Sequence, residues 1–186
     1  MSEGEILRLM HGQLPLSLGC GPKWLTVWDV KLGPGGGRAD MVVVSDEPSI
    51  VIVEAKLHAN AGLKDAVVGQ IMLYYVTALT AEPRQILDGL RRAARGMKRN
   101  AKRGLDAIMR EAAVEEAEVL GWIGSALAQA RDGASSVRAV VVTDEWNEKR
   151  DMRRLGKIVR FLRERGISLD VAQVDGGAIS WPLRKG

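Results

Sequence analysis

Cysteine is almost absent from this chain, since Cys20 is the only one among 186 residues. A lone cysteine can form no internal disulfide and no cysteine cluster for zinc or an iron–sulfur centre. Apolar runs are short as well, and none approaches the roughly 20 residues of a membrane-spanning helix. The first residues, MSEGEILRLMHGQ, lack the basic and apolar regions of a secretory signal. We therefore expect a cytoplasmic protein with no membrane partner.

Aromatic residues are also few, at 4% of the chain, and the five tryptophans are scattered rather than set along basic segments. A base-stacking platform is therefore not indicated. The remaining composition, 46% hydrophobic and 27% charged, is ordinary for a globular domain, and 186 residues suit one domain. Charge is unevenly distributed. Residues 84–110 carry nine basic and two acidic side chains, a net +7, against +4 for the whole chain, which predicts an acidic partner.

Two apolar segments, RADMVVVS and SIVIVEAK, predict strands joined by the turn-forming residues SDEPS. A connection of five such residues suits an antiparallel hairpin. With the turn centred on Glu47, the register pairs Val44 with Ile50 and Val42 with Ile52. Both faces of this hairpin are apolar, which is typical of strands that are covered on both sides.

The same register places three charged residues together at the open end of the hairpin. Asp40 stands opposite Glu54, and Lys56 lies on the same face because side chains alternate along a strand. Facing carboxylates repel unless a cation lies between them or one is protonated. Two acidic oxygen donors with room for water suit Mg²⁺, and Lys56 is then free to position or deprotonate an attacking water. An isolated Glu-x-Lys is ordinarily a solvated ion pair at a strand end.

The segment LKDAVVGQIMLYYVTAL, with apolar residues at helical spacing, carries Gln70 and Tyr74 one turn apart. Asp40, the 13-residue gap, Glu54-Ala55-Lys56 and this Gln-x-x-x-Tyr pair resemble the PD-(D/E)xK nucleases of restriction-endonuclease-like fold, in particular their RecB-type branch. Ala39 stands where the motif name has proline. The resemblance covers about residues 38–75 in motif and the whole chain in element order.

This resemblance implies an α/β fold with a mixed-sheet core of order αβββαβ, flanked by helices. It implies a metal-dependent DNA nuclease, acting in repair, recombination or defence, that hydrolyses phosphodiester bonds with Mg²⁺ or Mn²⁺. Asp40, Glu54 and the Ala55 carbonyl would hold the metal, and Lys56 would be catalytic. Gln70 and Tyr74 would lie beside the site and help to hold DNA.

The resemblance also implies an acidic residue from the first helix, and Glu5 is the candidate because it lies further into the helix than Glu3. A solvated glutamate at a helix start is an equally good interpretation, since its charge complements the helix dipole. The first helix is predicted over residues 3–11, with a loop following it. Further strands are predicted at KWLTVWDVKL, SVRAVVVTD, ISLDVAQVD and AISWP, and a further helix over 147–165 with Asn147 as a candidate cap.

A helical region from Pro83 to about Arg131 is predicted as an insertion within a single domain, residues 1–186. One long helix and a helical hairpin both fit its glycines. Its apolar stripe includes Ile86, Leu90 and Ala94. Its basic side chains are predicted to contact phosphates without reading sequence, namely Arg91, Arg95, Lys98, Arg99, Lys102 and Arg103.

Two other functions stay open at this point. The chain could be a catalytically silent DNA-binding subunit of nuclease fold, although intact Asp40, Glu54 and Lys56 weigh against that. It could also be a protein whose helices in 83–131 mediate self-association, their charge being solubilising. The apolar stripe is in either case a candidate seam for a homodimer.

Overall fold

The strands in the described part of the chain form one six-stranded mixed sheet. The computed structural model describes residues 2–57, 66–96, 104–147, 151 and 155–184. Neighbours in the sheet follow chain order: β1 to β3 pair antiparallel, β3 to β5 pair parallel, and β6 returns antiparallel to β5. The strands are β1 (Trp24–Val30), β2 (Ala39–Ser45), β3 (Ser49–Lys56), β4 (Val137–Thr143), β5 (Ser168–Asp175) and β6 (Ala178–Ser180).

Helices pack against this sheet, so the α/β class predicted from the sequence is confirmed. The described helices are α1 (Glu3–Ser17), α2 (Ala66–Thr80), α3 (Pro83–Gly96), α4 (Leu105–Glu111), α5 (Glu116–Arg131) and α6 (Lys157–Arg163). α2 packs on β3 and β4, α3 on β1, and α5 on β2 and β3. In the ranges that the structure covers, no helix is both long enough and apolar enough to cross a bilayer.

The hairpin of β2 and β3 lies inside the sheet and has the predicted register. Val44 pairs with Ile50 and Val42 with Ile52. Both faces are buried, because every residue of β3 is buried except Lys56. A strand covered on both faces buries its β-branched side chains whichever way they point, which explains the continuous apolar run. The charged residues at its end are thus mounted on a rigid, solvent-excluded strand.

The first helix is longer than the sequence predicted. α1 reaches Ser17, so the expected loop after residue 11 begins only near Leu18. Leu14 is fully buried and continues the stripe of Ile6 and Met10. Pro15 lies in the last turn of α1, where its missing N–H removes one backbone hydrogen bond without ending the burial of that face.

The region 83–131 folds as separate helices, and its apolar stripe faces the chain's own core. Ile86, Leu90 and Ala94 are fully buried. α5 packs against α3, and Arg91 Nη2 lies 2.5 Å from Glu116 Oε2 to join them. These apolar residues are therefore not exposed as a dimer seam, which corrects that interpretation of the stripe. The predicted helix over 147–165 is described at Asn147, at Asp151 and from Leu155 onward, and it ends as α6 at Arg163. The carbonyl of Asn147 accepts a hydrogen bond of 2.8 Å from the backbone N–H of Asp151, and the backbone N–H of Asn147 donates one of 2.8 Å to Oδ2 of Asp151. Residues 148–150 and 152–154 lie outside the described residues.

Candidate active site

Asp40 and Glu54 occupy the open end of the β2–β3 hairpin. They stand one step beyond Met41 and Val53, the last residues that the two strands pair. Asp40 Oδ2 accepts a hydrogen bond of 2.8 Å from the backbone N–H of Ala55. The carboxylate of Asp40 thereby takes an acceptor position that a strand carbonyl would otherwise fill, and it is held against the end of β3.

Glu54 is a buried carboxylate with only one of its oxygens engaged. Its side chain is 2% exposed, and Oε1 lies 2.8 Å from Nζ of Lys56. Oε2 is buried and has no hydrogen-bond partner within the described part of the chain. Burial above all, with the negative charges of Asp40 and Glu3, raises the pKa of Glu54 to about 7 against the opposing hydrogen bond and charge of Lys56. A buried oxygen without a partner costs free energy, and a bound ligand that interacts with it would offset that cost.

Asp40 is also shifted toward its neutral form. Burial raises its pKa, against the opposing hydrogen bond from Ala55, and the charges of Glu3 and Asp29 add to the rise. Asp29 stands opposite Asp40 in the β1–β2 register and has a left-handed backbone with φ 55°. It forms an ion pair of 2.8 Å with Arg38. Strained backbone beside clustered carboxylates is typical of functional sites.

Lys56 is held in its charged form. Burial alone would lower its pKa, but the hydrogen bond and charge of Glu54, with smaller contributions from Glu3 and Asp40, raise it above the ordinary value. An ammonium group can donate hydrogen bonds and cannot accept a proton. Of the two roles considered from sequence, the charged state of Lys56 therefore favours positioning of water or phosphate over proton abstraction.

Gln70 and Tyr74 lie beside this charged end, on α2. Gln70 Nε2 donates a hydrogen bond of 2.6 Å to the hydroxyl oxygen of Tyr74. Burial raises the pKa of Tyr74, and the charges of Glu54 and Asp40 raise it further, so it remains a phenol. Its oxygen accepts from Gln70, which leaves its own O–H to donate to another group. The motif pair thus provides an oriented donor next to the two carboxylates.

Glu3, and not Glu5, is the residue of α1 whose charge acts on the site. It raises the pKa of Asp40, Glu54 and Lys56. Glu5 is exposed and forms a capping box with Ser2, which lowers its pKa through the hydrogen bonds from Ser2. Its carboxylate accepts a hydrogen bond from the backbone N–H of Ser2 and so stabilises the start of α1. The sequence contained the signal for this, because Ser2-x-x-Glu5 is the capping-box pattern.

A glycine-rich loop, residues 33–37, closes over α2 at this end of the sheet. A Cβ on Gly37 would lie 2.7 Å from Cε1 and 3.0 Å from the hydroxyl oxygen of Tyr74. Cβ atoms on Gly33 and Gly36 would lie 3.0 and 3.1 Å from Cγ2 of Thr77. A methyl group on Gly37 would force the loop or Tyr74 to shift, and one on Gly33 or Gly36 would be tight against Thr77, so the glycines let the loop pack directly on the tyrosine and threonine.

The donor set fits a hard divalent cation in part. Asp40 and Glu54 are oxygen donors, and Glu54 Oε2 is buried without a partner in the described ranges. Those ranges contain no group of three or more His, Cys, Asp or Glu side chains arranged to hold a metal. Two carboxylates and the Ala55 carbonyl would leave the other positions to water and phosphate, which Mg²⁺ tolerates and Zn²⁺ structural sites do not.

The predicted phosphate-contacting residues are only partly described. Lys98, Arg99, Lys102 and Arg103 lie outside the described residues. Arg95 is exposed at the end of α3. Arg91 lies 3.5 Å from Asp88 and 2.5 Å from Glu116, so it holds α3 to α5 in addition to any contact with a ligand.

Comparisons of the chain with protein-family models, with curated proteins and with solved structures give no match. Its function is therefore inferred from the residues of the site.

Proposed function

We propose that the chain is a Mg²⁺- or Mn²⁺-dependent DNA nuclease of the PD-(D/E)xK type, with a restriction-endonuclease-like core. The observation that supports this best is the pairing of Asp40 with a buried, half-satisfied Glu54 at one strand end, with Lys56 bound to the same carboxylate. A solvated ion pair would not explain why Glu54 is 1% exposed. Burying Glu54 beside the half-buried Asp40 destabilises a fold, and such groups are concentrated where function needs them.

Each residue has a distinct part in the proposed hydrolysis. Asp40, Glu54 and the Ala55 carbonyl would hold the cation, which when bound supplies Lewis-acid stabilisation of the charge that develops on the phosphate. Lys56, kept as an ammonium by Glu54, donates a hydrogen bond that orients the attacking water or a phosphate oxygen. Tyr74 donates from its hydroxyl while Gln70 fixes the direction of that hydroxyl. Positioning of this kind accounts for most of the catalysis that a phosphoryl-transfer site can provide.

The test is cleavage of supercoiled plasmid and of labelled single-stranded, flapped and branched DNA in Mg²⁺ and in Mn²⁺. Wild-type protein should cleave at least one of these, and EDTA should abolish the reaction. Asp40→Asn, Glu54→Gln and Lys56→Ala should each remove cleavage while the protein stays folded and binds DNA. Asp175→Asn is a matched control, because Asp175 is an exposed carboxylate at the end of another strand.

Two outcomes would contradict the proposal. Wild type that binds DNA but cuts none of the substrates would be a silent DNA-binding subunit. Cleavage that survives Asp40→Asn and Glu54→Gln would come from another site or from a contaminant.

A further inference from the structure

A pocket of about 320 Å³ is lined in part by the glycine-rich loop, at Gly33 and Pro34. Neither Asp40 nor Glu54 lines it. Its walls come from the end of β1, the loop itself and one face of α3, and the lining residues are Lys31, Gly33, Pro34, Gln85, Asp88 and Arg92. A volume of this size is in the range of small-molecule sites.

The close approach of α3 to the end of β1 creates this pocket. A Cβ on Gly89 would lie 2.3 Å from the carbonyl oxygen of Lys31, so only glycine permits the contact. The approach brings the side chain of Lys31 toward α3. On α3, Gln85, Asp88 and Arg92 are spaced i, i+3 and i+7, which places them on one face of the helix. Residues distant in sequence thus converge on one opening.

The lining of the pocket includes two cations, Lys31 and Arg92. Both are exposed, and neither has an ion-pair partner among the residues described. Asp88 also lines the pocket, and it lies 3.5 Å from Arg91, which does not. The lining therefore has a net positive charge, and Gln85 adds an amide donor. An anion with several acceptor oxygens suits two cations and an amide better than a neutral ligand does.

The described lining of the pocket has no aromatic side chain, which argues against a ligand that is held by base stacking. The lining residues include no Trp, Tyr, Phe or His that could stack on a base. Contacts from Lys, Arg and Gln to phosphate and sugar hold a nucleic acid strand without reading its sequence.

The glycine-rich loop connects the pocket to the candidate active site. Gly33 lines the pocket and packs on Thr77, while Gly37 packs on Tyr74. Thr77 follows Tyr74 by three residues, a rise of about 4.5 Å along α2. Successive phosphates of one DNA strand in a duplex are separated by about 3.4 Å along the axis. A DNA strand bound at the candidate active site can therefore reach the pocket within a few nucleotides.

We propose that this pocket is a subsite for a backbone phosphate of the substrate strand, held by Lys31 and Arg92 a few nucleotides from the bond to be cut. The substrate class rests on the proposed nuclease function. The pocket binds and orients the DNA strand, whereas the carboxylates of Asp40 and Glu54 carry out the proposed hydrolysis with the metal.

The experiment measures binding of a fluorescein-labelled single-stranded oligonucleotide to the full chain in EDTA, across a series of salt concentrations. Lys31→Ala and Arg92→Ala should each weaken binding about 3- to 10-fold at low salt and reduce the slope of log K against log salt by about 0.7. Asp88→Asn should tighten binding because it removes the one negative charge of the lining. Arg84→Ala is the matched control, an exposed arginine of α3 outside the pocket, and it should change affinity less than 2-fold.

Several results would overturn the subsite. The first is an equal loss of affinity in Arg84→Ala, which would indicate a diffuse basic surface. The second is an Asp88→Asn variant that binds no more tightly than wild type. The third is wild-type protein that does not bind the oligonucleotide. Where wild type cleaves DNA, Arg92→Ala should raise KM with kcat within about 2-fold. If no substrate is cut but Arg92→Ala still loses affinity while Arg84→Ala does not, the nuclease proposal fails and the subsite stands.

Discussion

Lys56 Nζ lies 2.8 Å from Oε1 of Glu54, and Glu54 is the less exposed of the two, at 2% of its side chain against 23%. The buried member of the pair is therefore the carboxylate. Removing a carboxylate from water favours its neutral form more than one ammonium partner can offset, which is why the pKa of Glu54 rises to about 7 although Lys56 is beside it.

The first prediction concerns stability against pH in the absence of metal. The pKa of Glu54 rises from 4.5 to about 7, so folded protein binds a proton more tightly than unfolded protein. The contribution of that proton to the free energy of unfolding is complete below pH 4.5 and is lost as pH rises through 7. Glu54→Gln removes the ionisation and should raise the free energy of unfolding by about 3 kcal/mol at pH 8, with little change at pH 4. Urea unfolding of both proteins in EDTA measures this, and an equal change at the two pH values would contradict it.

The second prediction concerns metal. A cation that binds the folded protein stabilises it, by about 2.7 kcal/mol at a concentration 100 times the dissociation constant. Mg²⁺ or Mn²⁺ should therefore raise the Tm of wild type, and the rise should be larger at pH 8 than at pH 6 because Glu54 must lose its proton. Asp40→Asn and Glu54→Gln should abolish the rise, whereas Asp175→Asn should retain it. A rise that persists in both site variants would place the metal elsewhere.

The third prediction concerns Tyr74. Tyr74→Phe removes the hydroxyl that accepts from Gln70 at 2.6 Å, and it keeps the ring that packs under Gly37. The free energy of unfolding should fall by only about 1 kcal/mol. Cleavage should fall by about 10- to 100-fold through kcat, since the donor beside the carboxylates is lost. Gln70→Met should reproduce part of the decrease, because the hydroxyl then turns freely. Unchanged kcat in Tyr74→Phe would limit the residue to packing.

The fourth prediction compares Gly37, in the loop that packs on α2, with Gly69, which lies within α2. Gly37→Ala places a methyl group 2.7 Å from the Tyr74 ring, so the loop or the ring must move, at a cost of about 1–3 kcal/mol. Gly69→Ala, inside α2 and with nothing within 4 Å of its Cβ, should instead stabilise the protein by about 0.5–1 kcal/mol. Thermal unfolding of the two variants gives the comparison. Similar shifts in both would show that the loop does not press on Tyr74.

The hairpin was predictable because its signals are local. Turn residues between two β-branched runs define both strands and the register that places Asp40 opposite Glu54. The end of α1 was not predictable in that way. Pro15 is a strong local stop signal, and only the tertiary burial of Leu14 shows why the helix continues.

The site was predictable to the extent that it lies on one hairpin and one helix face. Helical spacing puts Gln70 and Tyr74 one turn apart, but only the resemblance to the PD-(D/E)xK nucleases marks them as candidate site residues. Asp29 had no such signal, because its left-handed backbone and its place beside Asp40 arise from β1 pairing with β2. The charged state of Lys56 also needed the structure, since it depends on how deeply Glu54 is buried.

The position of β3 in the sheet affects the order in which the site can form during folding. On one side β3 pairs with β2, its neighbour in sequence. On the other side it pairs in parallel with β4, whose start is separated from the end of β3 by 80 residues. Pairings between segments close in sequence form quickly, and those that must close a long loop form late. We therefore expect the two carboxylates to be brought together early, in a hairpin with one edge open. The strand that covers this edge, β4, is expected to join later, because its pairing closes the longer loop.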